Sequence, residues 1–289
     1  MWIDPSPLSS PPPAPEPRHH GAVTRSDDPA ELGYRNLIAF SRAVTRWSAS
    51  GALEESDGVV LCAGGSWIPL VGNAAYRTDI SVDPSELIDR AQAFYAGVKR
   101  GFSIKVRDDG QDDDLRRACV TAGIEAFGET APQMLVRHPL PDPTPPGDIV
   151  VRPVDDEEGL RAFVAVNAEA YGTYGLPPEE VDANFDDGTA VLGDPACHMV
   201  IATRGATPVA TAMLYESDGV ASVQWVGTVP DARKRGLGAL VTTVVTNLAF
   251  ARGASSVTLQ ASPMGAPVYL ALGYDTLYSF AEHVVWNTA

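Results

Sequence analysis

The amino-acid sequence predicts an α/β protein made of two copies of one α/β unit, each a mixed, mostly antiparallel sheet flanked by helices. Three observations predict it. In the second half, three apolar segments at hairpin spacing lead into a long helical stripe, a further strand and a short helix. The same order of patterns runs through the first half about 150 residues earlier. Between them lies PLPDPTPPG, residues 139–147, a Pro-rich stretch that reads as an interdomain linker.

The elements follow in chain order. Residues 1–28 carry seven Pro within the first 17 and few large apolar groups. Such a segment buries too little surface to offset its ordering entropy, so a disordered tail is expected, whether a docking arm or a start-site artefact. Residues 29–138 form the first unit. Leu87, Ala91, Phe94 and Val98 give a helical stripe, FSIKVR (102–107) a strand, and Leu115, Ala118, Cys119 and Ala122 a helix ending at Gly123. MLVRH (134–138) closes the unit. Residues 148–289 form the second. DIVVRPV (148–154) is a strand, and Leu160, Phe163, Val164, Asn167 and Tyr171 mark one face of a helix. Pro177, Pro178 and Glu179 open a short helix. Strands 197–204, 208–215 and 220–229 precede a helix over about 236–251, whose stripe is Leu237, Leu240, Val241, Val244, Val245 and Leu248. SVTLQAS (256–262), a short helix ending at Leu272–Gly273, and two strands around Leu277 and Val284 complete the chain.

Composition removes several function classes. The chain has 289 residues, 37 acidic against 21 basic, and a formal net charge of −16. Such a charge repels phosphate backbones and anionic lipid, so neither nucleic acid nor a membrane is an expected partner. No run of apolar residues is long enough to span a bilayer, and the first residues lack a signal-peptide pattern, so a cytoplasmic location is expected. Cys62, Cys119 and Cys197 are scattered, as in a reducing compartment. His198 and His283 have no ligands at metal spacing, so no metal site is expected. Asp112, Asp113 and Asp114 suit a helix N-terminus.

The stretch that carries chemistry is VGTVPDARKRGLGALV, residues 226–241, which joins a strand to the long helix. Arg233, Lys234, Arg235, Gly236, Leu237 and Gly238 fit R-x-x-G-x-G. A helix N-terminus offers unpaired N–H groups and partial positive charge, and glycines admit a diphosphate close to the backbone. A dinucleotide loop would need Gly where Val241 stands, and no Walker sequence occurs.

These residues resemble the acetyl-CoA motif of the GNAT superfamily of N-acetyltransferases, with Pro230 three residues before the arginine. LQASPMGAPVYLALGY (259–274) is similar to the family's closing segment, with Tyr269 four residues before Gly273–Tyr274. The resemblance covers 148–289, and the first unit looks like a degenerate copy, making the chain similar to a tandem GNAT. It implies transfer of an acetyl group from acetyl-CoA to a primary amine, by direct attack through a tetrahedral intermediate. It implies that the strand ending at Gly227, Thr228 and Val229 diverges from 256–262 and pairs with pantetheine, and that Arg233 to Gly238 hold the pyrophosphate. It further implies Tyr269 as the acid for the leaving thiolate and the Val229 N–H as a donor to the oxyanion.

In the first unit the corresponding position reads Asp83-Pro84-Ser85-Glu86, a self-capped helix start, so one cofactor site is expected. The first unit then supports the fold or shapes an acceptor pocket at the junction. No carboxylate stands on the strand before the loop, which carries Gln224 and Trp225. Glu216 is a weak base candidate and Glu169 a second; the amine could also arrive neutral. A catalytically weak acyl-CoA-binding sensor and a transferase of longer acyl groups are the other readings. The acceptor is expected to be a small-molecule or peptide amine, and the chain a monomer or homodimer.

Overall fold

The computed structural model describes residues 28–287, so the expected tail lies outside the described residues apart from Asp28. The first half runs α1 (Pro29–Arg46), β1 (Ala52–Ser56), β2 (Val59–Ala63), β3 (Asn73–Arg77), α2 (Pro84–Val98), β4 (Phe102–Arg107), α3 (Asp113–Thr121) and β5 (Ala131–Val136). The second runs β6 (Ile149–Val154), α4 (Glu157–Gly172), α5 (Pro178–Asp182), α6 (Gly188–Gly193), β7 (Cys197–Arg204), β8 (Thr207–Ser217), β9 (Val220–Thr228), α7 (Leu237–Ala251), β10 (Ser256–Gln260), α8 (Ala266–Leu272) and β11 (Asp275–Val285). The two strands expected at the end are one, β11, with a bulge between Thr276 and Tyr278 that leaves Leu277 unpaired in register.

Among the described residues eleven strands form one sheet, in the order β1-β2-β3-β4-β11-β5-β10-β9-β8-β7-β6. Only β3–β4 and β9–β10 are parallel, each followed in its half by a helix of 15 residues between the partners. The halves trade their last strands. β5 pairs with β10 and β11 of the second half, and β11 pairs with β4 of the first.

α1 and the first three strands carry signals that the element reading above passes over. Asp28 caps α1 by accepting from the Ala30 N–H at 3.0 Å, Pro29 opens it, and Tyr34, Leu37, Ile38 and Val44 form its buried stripe. Asp57-Gly58, both at positive φ, is a hairpin turn between β1 and β2. α1 bridges the halves: the Asn36 amide donates to the Val220 carbonyl at 3.1 Å, and the Tyr34 hydroxyl donates to the Arg77 carbonyl at 3.0 Å.

α1, α4, α5 and α6 cover one face of the sheet, and α2, α3, α7 and α8 cover the other. The Pro-rich segment crosses the second face between β5 and β6. It is clamped there by the Asn247 side chain of α7, which accepts from the Leu140 N–H at 2.8 Å and donates to the Leu140 carbonyl at 3.0 Å. Among the described residues no helix is long and apolar enough to cross a membrane.

Residues 28–138 and 148–287 produced separately each lack an internal strand of the sheet. Each is expected to aggregate alone, and the two to yield a soluble complex when co-expressed. A monomeric half that melts cooperatively on its own would contradict this.

Candidate functional site

The site begins with a register change. Thr211 of β8 faces Gly227, but Met213 faces Gln224, so β9 carries one extra residue, a bulge with Trp225 at φ 49°. The parallel pairing of β9 with β10 ends at Val223–Leu259. Beyond it β9 stays with β8, while the next residue after β10, Ala261, donates to the Pro132 carbonyl of β5 at 2.8 Å. The sheet therefore parts between β9 and β10. The Val229 N–H donates to the Val209 carbonyl at 3.1 Å, so it is not the free donor expected of it. Strand alternation turns the N–H groups of Thr228 and Val226 the other way, into the parting. Val226 was not singled out in the sequence.

Gly227 is fixed by close packing. A Cβ there would lie 2.7 Å from the Asn167 Oδ1 and 3.3 Å from the Ala170 Cβ, both on α4. Asn167 and Ala170 thus seat α4 directly on β9, and Tyr171 at its end donates to the Val226 carbonyl at 3.4 Å.

The loop after β9 makes a 3₁₀ turn over Pro230–Ala232, and Lys234 and Gly236 both take positive φ. Gly236 ends it as the residue before α7, at φ 76° with open space where a Cβ would project. No side chain caps α7 and no acid stands in its first turn, so its leading N–H groups face outward. Arg233 departs from its expected place on the phosphate. Its guanidinium donates to the Thr228 carbonyl at 3.1 Å, the Ala170 carbonyl at 3.0 Å and the Thr173 hydroxyl at 2.9 Å. It ties the loop to the C-terminal end of α4, where positive charge is favoured. Lys234 and Arg235 are exposed, and among the described residues neither makes a side-chain hydrogen bond or ion pair. Leu237 is buried in the core beneath the loop, and Gly238 leaves the Thr228 hydroxyl 3.7 Å from where its Cβ would be.

Tyr269 projects from α8 toward α7. The Thr242 hydroxyl faces it, and burial pushes the phenol up to about 12. Its helix is held in register by Tyr274, whose buried hydroxyl lies 2.6 Å from that of Thr246. Burial raises the Tyr171 pKa, and the neighbouring phenols of Tyr269 and Tyr174 add to the shift, so the three rings lie close together. Tyr171 belonged to a packing stripe in the sequence, so only its position at the end of α4 could have marked it.

Glu216 is elsewhere. It pairs in register with Ala221, before the parting, and its carboxylate accepts from Arg252 at 2.9 Å and lies 3.2 Å from the His198 Nε2. Glu169 is exposed on α4. Neither is among the residues that line the cavity beside the parting. Among the described residues no group of three or more His, Cys, Asp or Glu could hold a metal.

Two cavities flank the parting. One of about 280 Å³ lies on the α1 and α4 face; Gln224 and Gln260, the first residues past the last pair, line it together with Tyr171 and Trp225. The other, of about 410 Å³, lies between Arg235 and Gly236, the end of α8 and the linker residues Pro143, Thr144 and Pro146.

The first half has its own short parting. β3 and β4 pair only at Ala74–Ser103 and Ala75–Ile104. Arg77, its side chain 1% exposed, binds Asp112 at 2.8 Å and Asp114 at 2.7 Å at the start of α3, tying the two sides together. Its guanidinium holds the Asp114 carboxyl down at about 2. The acidic run thus serves a buried arginine as well as a helix start. Asp83 caps α2, accepting from the Ser85 N–H at 2.8 Å.

Residues 145–265 match the family model for an acetyltransferase (GNAT) domain. The chain is similar in fold to a GCN5-related N-acetyltransferase from Kribbella flavida, with 21% identity, TM-score 0.66, and 89% of this chain and 95% of that one covered. It is similar to another from Sphaerobacter thermophilus, at 17% identity and TM-score 0.60 over 89% of this chain and 91% of that one. It is also similar to a tandem GNAT protein from the clavulanic acid biosynthesis pathway, at 15% identity and TM-score 0.54 over 91% of this chain and 96% of that one. No curated protein matches it.

Gly227→Ala is expected to destabilise the fold by about 1–3 kcal/mol through overpacking against α4. Urea unfolding measures it, and an unchanged midpoint would mean that α4 does not sit as closely on β9.

Proposed function

We propose that the second half of this chain, most of which matches the family model for an acetyltransferase (GNAT) domain, transfers an acetyl group from acetyl-CoA to a primary amine by direct attack. One observation carries the proposal: the parting between β9 and β10 leads from the bare N-terminus of α7 on one face to a cavity on the other.

The residues present fit such a cosubstrate. The leading N–H groups of α7, with Lys234 and Arg235, suit a diphosphate. The cavity beneath the linker offers apolar walls beside Arg235 for the nucleotide end. Acetyl-CoA, when bound, supplies an activated thioester carbonyl. The N–H groups of Val226 and Thr228 face the parting, and a donor there stabilises the charge that develops on the carbonyl oxygen. The cavity on the α1 face holds the amine. As the C–N bond forms and the C–S bond breaks, Tyr269 donates its proton to the departing sulfur. Its raised pKa keeps that proton in place at working pH. Among the described residues lining the cavity there is no carboxylate, so the amine enters as the free base, and the proton its nitrogen loses on forming the amide passes through water and restores the one given up by Tyr269. That same absence favours the second reading, an acyl-CoA-binding module with little turnover. The Arg77 bridge leaves the first half without an open counterpart, in keeping with one cofactor site per chain.

Calorimetry with coenzyme A is expected to give one site per chain, and the Lys234→Ala/Arg235→Ala variant to bind at least about tenfold more weakly. No affinity in the wild type would end both readings. Tyr269→Phe is expected to keep that affinity and lose about 10²-fold in kcat. Binding without thiol release from acetyl-CoA across a panel of amines would select the module instead. With Tyr269 near 12, wild-type kcat is expected to stay level up to about pH 10. A fall below that pH, absent in the Phe variant, would show the phenol ionising early and overturn its assignment as a raised-pKa acid.

A further inference from the structure

The overall charge of −16 favours cationic partners, but the cavity on the α1 and α4 face has the opposite character. Among the described residues that line it none is Asp or Glu, and the one charged group is Lys105, one of three lysines in the chain. Its side chain is 8% exposed. The ammonium is held by Glu282 on the neighbouring strand β11. An ammonium has three donors, and Glu282 accounts for one. A buried ion pair is favourable only when its remaining donors and lone pairs are satisfied, yet the second oxygen of Glu282 is buried without a partner. The pair is thus polar, desolvated and incompletely bonded. β4, which carries Lys105, lies four places in the sheet from β9, which carries Gln224 at the parting. Phe40, Tyr76 and Trp225 supply apolar and aromatic wall between them.

We infer that the acceptor is a primary amine with a carboxylate at the far end of an apolar body, the amine lying at Gln224 and the carboxylate at Lys105. The inference rests on the transferase reading above and names the substrate class of that site. Polyamines fit poorly, because a second cation would meet Lys105 in place of a carboxylate.

The two anchors sit four strand spacings apart, about 19 Å, so the probes are extended: 8-aminooctanoate, octylamine and spermidine, compared by calorimetry on the chain loaded with coenzyme A. The aminooctanoate is expected to bind at least about tenfold more tightly than octylamine, and spermidine more weakly than either. The K105M/E282Q variant removes both charges and leaves neither buried alone, so it should bind coenzyme A normally and lose the preference for the carboxylate. Equal affinities in the wild type, a preference for spermidine, or a preference that survives in the variant would each overturn the inference. The wild-type comparison decides it even if the variant fails to fold. Failure of the transferase reading would show separately, as a wild-type chain that does not bind coenzyme A.

Discussion

Past Val223, β9 keeps one neighbour and releases the other, and the extra residue at Trp225 allows it to do so. A regular strand would carry both ladders to the edge and close the sheet. The bulge increases the local twist, holds β9 on β8 and swings its other edge free. Everything that makes the site depends on that release. It turns the Val226 and Thr228 N–H groups toward open space. It brings Gly227 against Asn167, which sets α4 and so Tyr171. It also delivers the chain to Gly236 in position to start α7 uncapped. Arg233 stabilises the result from the side by tying the loop to the end of α4.

The first half takes part in the site by construction. It lacks an open loop of its own, because Asp83 caps α2 and Arg77 bridges β3 to α3. Yet it supplies α1, β3 and β4 to the cavity opposite the α7 side. The contributions are thus divided between the halves: the parting and the start of α7 sit in the second, while much of the wall of the cavity on the α1 face comes from the first. The exchange of β5 and β11 fixes the two contributions in one sheet, so the cavity does not rely on docking between separate bodies.

Much of the second half was legible in the sequence because its signals are local. β7 falls on 197–204 and α7 within 236–251, as alternation and the apolar stripe require, and the Gly236 turn follows from its neighbours. What was not legible depends on partners far away in the chain. Nothing near Arg233 reveals that Ala170 and Thr173 will accept from its guanidinium. The Val229 N–H is engaged through strand pairing with Val209, and Glu216 lies before the parting only because of register. α1 and the β1–β2 hairpin are a different case, since Asp28, Pro29 and Asp57-Gly58 do announce them. Strand exchange leaves no local trace at all, because MLVRH reads as the same strand whichever sheet position it fills.

The exchange also sets an order of assembly. Translation delivers the first half before the second, so β4 emerges long before β11, the strand that will lie between it and β5. During that interval β4 is a bare edge, open to pairing with any extended chain nearby. Ser103, Lys105 and Arg107 alternate along one side of it, and inward charges of this kind discourage such pairing. The same lysine that gives the mature cavity its sign therefore shields the nascent chain from adhesion until residues 275–285 arrive to cover it.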